Sequence, residues 1–169
     1  VHLRVFWNEK DKLLKWSLPT TLPAARSTYR GQTMYGVAAL PANGDEAVAQ
    51  RWVALDDGTT ALTVINDGVY GSDCSDGEIR MTLLRSPAYC AHPIGDRPLV
   101  VQDRFLPRID QGERQFTFWL NAGASDARLA AVDREALALG EKPFALSFFP
   151  SGAGAIPECP LLLEDEVVQ

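Results

Sequence analysis

Histidine and cysteine are scarce in this chain of 169 residues, which contains two of the first and three of the second. His2 and His92 are far apart and neither has a second histidine at helical spacing, so we predict no zinc site within the chain. Cys74, Cys90 and Cys159 are an odd, widely spaced set that matches no C-x-x-C pattern. This spacing favours reduced thiols over a disulfide framework and predicts a cytoplasmic location.

Long apolar runs and an excess of basic residues are also missing. No hydrophobic run approaches the roughly 18 residues that a membrane span requires, and the first residues contain no secretory hydrophobic region. Sixteen Lys and Arg against 22 Asp and Glu give a net charge of -6. A surface that neutralises nucleic-acid phosphates needs clustered Lys and Arg. The sequence therefore predicts neither a membrane nor a nucleic acid as a partner.

Motifs for common catalytic chemistries are absent as well. Ser86 does not lie in a G-x-S-x-G elbow, residues 152–154 are too short for a phosphate cradle, and there is no dinucleotide fingerprint. Asp67, Asp73 and Asp76 share one polar segment, but acids in loops usually stabilise turns. We therefore predict no catalytic residue in this chain.

The sequence does contain many short β-strand patterns, and its length suits one domain, residues 1–169, with its own core. Residues 2–7 alternate with period two and are expected to form a hairpin with residues 13–18. Residues 31–47 are expected to be a connection, and residues 56–58 a turn. Further strands are predicted at residues 49–55, 114–120 and 144–149.

A long central hairpin is the most prominent expectation. Residues 59–65 and 78–84 are apolar and β-branched, and they flank a twelve-residue polar loop, residues 66–77. Loops longer than a tight turn requires are often functional, although an ordinary surface connection fits this composition equally well.

One helix is predicted, with Ser125 and Asp126 as its N-cap, residues 127–139 as its interior and Gly140 as its end. Its apolar face is expected to pack on a sheet. That face consists of Leu129, Val132, Ala136 and Leu139. Many short strands, Gly/Pro turns and one short helix indicate a mainly β fold, a β-sandwich.

Several segments, in order along the chain, resemble the carboxy-terminal β-domain of family 38 α-mannosidases. They are Gln50-Arg51-Trp52-Val53-Ala54-Leu55, Ile65-Asn66-Asp67-Gly68-Val69-Tyr70-Gly71, Leu83-Leu84-Arg85-Ser86-Pro87, and Gly112-Glu113 with Phe116-Thr117-Phe118. The resemblance implies part of the large β-sandwich that this family shares with galactose mutarotase-like domains.

The resemblance also implies what this chain lacks. In that family a separate amino-terminal domain holds zinc and the aspartate nucleophile of a retaining mechanism, and no segment here resembles it. The chain begins and ends within strand-like patterns, so we expect it to be a piece of a longer glycoside hydrolase. The fragment alone is expected to be inactive. Its partners would be the catalytic domain of the same polypeptide and an α-mannoside glycan.

For the fragment, the family suggests packing on the catalytic domain and lending loops to the rim of the sugar pocket. The residues expected there are Asn66, Asp67, Tyr70 and Arg85. Arg85 follows an apolar strand and precedes Ser-Pro, so its guanidinium would lie at the sheet rim and bind an acid or a sugar hydroxyl. Alternatively, Arg85 satisfies local carbonyls or a loop aspartate. The alternative function is a non-catalytic carbohydrate-binding or purely structural β-sandwich.

Overall fold

The computed structural model describes residues 1–88, 105–145 and 152–154. Ten strands and one α-helix occur within these ranges. The strands are β1 (His2–Trp7), β2 (Leu13–Pro19), β3 (Thr28–Thr33), β4 (Gly36–Ala39), β5 (Ala47–Val48), β6 (Trp52–Asp56), β7 (Thr60–Asn66), β8 (Gly71–Ser75), β9 (Glu78–Arg85) and β10 (Gly112–Ala124). The helix is α1 (Ser125–Gly140), and a short 3-10 turn covers Ala24–Arg26.

The strands form two antiparallel sheets. The six-stranded sheet has the order β1-β10-β7-β6-β3-β4, and the four-stranded sheet has the order β2-β9-β8-β5. The predicted β-sandwich with one helix is therefore confirmed. None of the helical segments among the described residues is long and apolar enough to cross a membrane.

The main core lies between the two sheets and follows the period-two alternation of the strands. Its largest side chains are Tyr29, Leu55, Ile79, Met81 and Phe118, all almost completely buried. The Trp16 ring packs on Phe118 with 4.7 Å between ring centroids. A second apolar cluster joins α1 to the opposite face of the six-stranded sheet. Strand β6 is consequently buried on both faces.

The predicted long central hairpin is wrong. Strands β7 and β9 belong to different sheets, and the supposed loop contains a third strand, β8. Residues 66–70 cross from one sheet to the other. The tight hairpin is β8–β9, whose turn residues Asp76 and Gly77 both have positive φ, 52° and 78°. Strand β8 escaped prediction because its inward positions are the small residues Ser72 and Cys74.

The predicted amino-terminal hairpin is also wrong. Strand β1 pairs with β10, with His2 opposite Thr117, while β2 pairs with β9, with Leu18 opposite Ile79. The charged turn between β1 and β2 therefore connects the two sheets. Alternation identified both strands, but it carries no information about which strand each one pairs with.

Other local expectations had mixed outcomes. The expected 31–47 connection contains the end of β3, all of β4 and the start of β5. The strands expected at 49–55 and 114–120 are confirmed as β6 and β10. The turn between β6 and β7 covers residues 57–59, one residue later than the predicted turn at 56–58. Residues 146–149, Cys90, Cys159 and His92 lie outside the described residues.

Helix α1 is confirmed, but its predicted cap is not. The N-cap is Ala124, and no side chain caps the first turn. Ser125 instead donates its hydroxyl to Asp56 Oδ1 over 2.5 Å, which joins the helix start to the end of β6. Val132 and Ala136 are buried against the sheet, whereas Leu139 is exposed.

Candidate functional site

A groove of about 570 Å³ crosses one end of the four-stranded sheet and is lined by residues from all four strands. Leu13, Leu83, Leu84 and Val48 give it apolar walls, and Glu46, Thr82, Arg85 and Asp110 add polar groups. Small-molecule sites commonly combine apolar walls with a few polar groups in this way.

Arg85 lies at one end of the groove, as the last residue of β9. Its backbone N–H lies 3.5 Å from Asp110 Oδ2, and its side chain is exposed. Asp110 has a left-handed backbone conformation, with φ of 54°. The structure thus places Arg85 both at the end of β9 and in the lining of this groove.

Gly71 opens the middle of the groove. A Cβ at this position would lie 3.3 Å from Thr82 Cβ and 3.8 Å from Glu46 Oε2. Because glycine has no side chain, the groove continues across β8 between β9 and β5.

A charged network borders the groove on the outer face of the same sheet. Thr82 donates its hydroxyl to Glu46 over 2.7 Å, and Lys15 binds both Glu46 and Asp73. Arg80 Nε donates to Asp73 Oδ1 over 2.6 Å. Asp73 is only 1% exposed because two cations cover it. These contacts connect β2, β9, β8 and the residue before β5 across the outer face.

The network also fixes the charge of Lys15. Burial by itself disfavours the ammonium, but hydrogen bonds to Asp73 and Glu46 outweigh burial, so the pKa of Lys15 is raised above its usual value. Sequence reasoning missed Lys15, Glu46 and Thr82. For Lys15 and Thr82 the available signal was the alternation of polar and apolar residues at 15–18 in β2 and at 78–82 in β9, which marks one polar face on each strand.

The Asn66 side chain forms hydrogen bonds to the backbone of this chain. Its Nδ2 donates to the Gln50 carbonyl over 2.9 Å, and its Oδ1 accepts the backbone N–H groups of Gly68 and Val69 over 3.0 and 2.8 Å. The residue is 6% exposed. These bonds make Asn66 the internal support of the loop that crosses between the sheets.

The other two predicted site residues lie on the same crossing loop. The Asp67 backbone N–H donates to the Thr117 carbonyl over 3.2 Å, and its side chain is exposed. Tyr70 is 57% exposed and directly precedes Gly71 in the groove. Tyr70 and Arg85 thus lie at the same end of the four-stranded sheet, whereas Asn66 is enclosed beneath the loop.

Neither sheet presents a recognisable metal centre in the part of the chain that the structure describes. No group of three or more His, Cys, Asp or Glu side chains there has the arrangement to hold a metal ion. Cys74 is a free, buried thiol within those residues.

Solved structures share this fold. A glycosyl hydrolase family 38 protein from Enterococcus faecalis aligns with 80% of this chain at a TM-score of 0.63 and 23% identity. An alpha-mannosidase from Enterococcus faecalis V583 aligns with 80% of it at a TM-score of 0.62 and 21% identity. This chain covers 15% of each of those chains.

Curated relatives match about half of this chain, and a family model matches its first part. Alpha-mannosidase 2C1 from Mus musculus is 28% identical over 94 residues, and its Homo sapiens counterpart is 29% identical over the same length. These matches cover 51% of this chain and 9% of each relative. The model of the glycosyl hydrolases family 38 C-terminal domain matches residues 1–98, more than half of the chain, and the chain therefore belongs to that family.

Proposed function

We propose that this chain is the accessory C-terminal domain of a zinc-dependent, retaining α-mannosidase. In this proposal it packs on the catalytic domain and contributes its groove to the rim of the sugar pocket. Family membership supports the enzyme class, and the position of Arg85 in a concave surface supports the rim role. Zinc and the nucleophile would belong to the catalytic domain, outside this chain.

The chemistry of the groove suits a glycan. A guanidinium is a planar donor that forms hydrogen bonds with hydroxyl or carboxylate oxygens, and the carboxylates of Glu46 and Asp110 accept hydroxyl hydrogens. Apolar walls pack on the C–H faces of a sugar, and the exposed Tyr70 ring next to Gly71 extends that surface. The groove would therefore orient the glycan and leave bond cleavage to the catalytic domain.

The test is Arg85→Ala in the full-length parent enzyme. Loss of one charge-assisted hydrogen bond, about 1.5–3 kcal/mol, should lower kcat/KM towards an aryl α-mannoside by roughly 10- to 150-fold. Arg26→Ala is the matched control, since Arg26 is an exposed arginine on the short 3-10 turn and outside the groove. Unchanged kinetics in Arg85→Ala would refute the rim role.

A second measurement separates the two function classes. Activity should require the full-length parent and disappear with a chelator, and the isolated chain should bind mannose in the millimolar range or more weakly, about 4 kcal/mol. Micromolar binding by the isolated chain would favour the alternative, a carbohydrate-binding sandwich. Zinc-independent hydrolysis by the isolated chain would contradict both.

We also propose a cytoplasmic location, because the buried Cys74 is a free thiol and reduced thiols persist in that compartment. Fractionation of cells that express the parent tests this location. Recovery of the enzyme only from a secretory compartment would refute it.

A further inference from the structure

The edge strands of the two sheets differ in how well they are protected against pairing with other chains. Exposed edges invite pairing with other chains, and proteins protect them with charges, prolines or very short strands. Within the described residues, β1 carries the exposed Arg4, β2 carries Lys15 and ends at Pro19, and β5 has only two residues. Strand β4, at the other edge of the six-stranded sheet, has no charged residue.

The absence of charge extends well beyond β4. Residues 31–44 contain no Asp, Glu, Lys or Arg, although 22% of the chain is charged. The tip of the β3–β4 hairpin lies within this stretch and exposes apolar side chains. Met34 is 69% exposed, Tyr35 is completely exposed, and Val37 is 49% exposed.

The backbone conformation at the hairpin tip is also unusual. Tyr35 has φ of 67°, a left-handed conformation that a bulky residue rarely adopts and that favours glycine. The hairpin therefore holds a large aromatic ring in solvent in a strained conformation. Strain of this kind is concentrated at binding and catalytic sites.

The tip lies at the same end of the sandwich as the crossing loop. The Gln32 carbonyl accepts the Gln50 N–H over 2.7 Å, and the Arg51 carbonyl accepts the Asn66 N–H over 2.9 Å. The loop from Asn66 then leads to Tyr70 and the groove. The turn at Thr59, between β6 and β7, lies at the opposite end of the six-stranded sheet, since Thr28 pairs with Asp56.

We propose that residues 33–39, the β3–β4 tip, are an interdomain docking surface for the catalytic domain of the same polypeptide. This inference rests on the proposed function and adds to it the surface and the chemistry of the contact. The partner would offer an uncharged apolar socket to Met34 and Tyr35. The solved relatives support this occupant, because this chain covers only 15% of their length and most of each such polypeptide lies beyond the matched domain.

Photo-crosslinking in the full-length parent tests the proposal. A photoreactive phenylalanine, p-benzoylphenylalanine, is introduced at position 35 and, as a matched control, at the exposed position 59 at the opposite end of the sheet. After irradiation of monomeric enzyme, mass spectrometry should identify an intramolecular crosslink from position 35 to the catalytic domain, at least tenfold more abundant than from position 59. Equal yields, a crosslink within residues 1–169, or a crosslink to a second copy would overturn the proposal.

A charge variant provides a second, independent readout. Tyr35→Lys together with Val37→Lys should increase the rate at which limited proteolysis separates the two domains by at least tenfold. Thr59→Lys should leave that rate unchanged. An unchanged rate in the double variant would overturn the docking surface, whereas the rim role in sugar binding is judged separately by the kinetics of Arg85→Ala.

Discussion

Individual polar side chains stabilise this sandwich both where the chain crosses between the sheets and within a paired strand. Asn66 satisfies three backbone groups where the chain crosses between sheets. The Asp73 carboxylate forms ion pairs with Lys15 and Arg80 on the outer face of the four-stranded sheet. Both residues lie in a polar segment, 66–77, that composition alone describes as a surface loop.

Asn66→Ala should lower the free energy of unfolding by about 2 kcal/mol, because buried backbone groups near Gln50 and Val69 lose their partner. Urea denaturation measures this change. Asp67→Ala is the control and should change stability by less than about 0.5 kcal/mol, since the Asp67 side chain is exposed. Full stability in Asn66→Ala, combined with weaker activity of the parent, would instead assign Asn66 a direct role in sugar binding.

Asp73→Asn should destabilise the domain by about 2–3 kcal/mol. The substitution removes a buried charge and leaves Lys15 and Arg80 facing each other without their shared carboxylate. Both cations retain partial exposure, which keeps the loss below that of a fully buried ion pair. Urea denaturation compared with Asp67→Asn tests this, and equal midpoints would contradict it.

At the scale of elements, the turn between β8 and β9 is under steric constraint. A Cβ on Gly77 would lie 2.8 Å from the Leu22 carbonyl oxygen, while Gly58, which also has positive φ, has open space around it. An alanine at Gly58 therefore introduces backbone strain alone, whereas an alanine at Gly77 introduces backbone strain and a steric clash.

Gly58→Ala should lower the free energy of unfolding by about 1 kcal/mol through its left-handed φ alone. Gly77→Ala should lower it by at least about 1 kcal/mol more, because the added methyl displaces backbone near Leu22. Thermal or urea unfolding of both variants provides the comparison. Equal losses would mean that the Leu22 segment moves without resistance.

Local pattern predicted the existence of elements far better than their pairing. Alternation in residues 114–120 and helical spacing in 127–139 identified β10 and α1, since each signal depends only on neighbours in sequence. The partners of β1 and β2 depend on contacts about a hundred and about sixty residues away, respectively, which no local signal contains. Strand β8 was missed for a different reason, because its buried side chains are small.

In the candidate site, too, local sequence predicted some residues, whereas others are brought together only by the fold. Arg85 was identifiable because it ends an apolar strand before Ser-Pro. Glu46 and Asp110 reach the groove from distant segments, and only the completed fold places them in the same groove as Arg85. The family resemblance of its segment predicted a rim role for Asn66, but its hydrogen bonds to the Gln50, Gly68 and Val69 backbone were not foreseeable.

At the scale of the whole molecule, stability should decline at both ends of the pH range. Hydrogen bonds from arginines hold the pKa values of Glu135, Glu113 and Asp11 below their usual range. Groups with depressed pKa values stabilise the fold above their unfolded pKa and lose that contribution as pH falls through the folded value. The free energy of unfolding should therefore fall as pH drops below about 4.

We assign the fall in stability at alkaline pH to Cys74. Burial, followed by the charge of Asp73, raises the pKa of the Cys74 thiol to about 11. Between an unfolded pKa of about 8.5 and the folded value, only the unfolded chain loses this proton, so stability falls as pH rises. From pH 8 to pH 10 the loss should be about 1–2 kcal/mol by urea denaturation. Cys74→Ala should show a smaller change over that interval, and an identical change would refute the assignment.

The pairing of β1 with β10 has a consequence for synthesis on the ribosome. His2 lies opposite Thr117, 115 residues further along the chain. Ribosomes add about 5–20 residues per second, so roughly 6–23 s separate the emergence of these two strands. During that interval β6, β7, β8 and β9 are all complete and can pair with one another, while β1 has no partner strand. Strand β1 therefore joins the six-stranded sheet after β6 and β7 have formed.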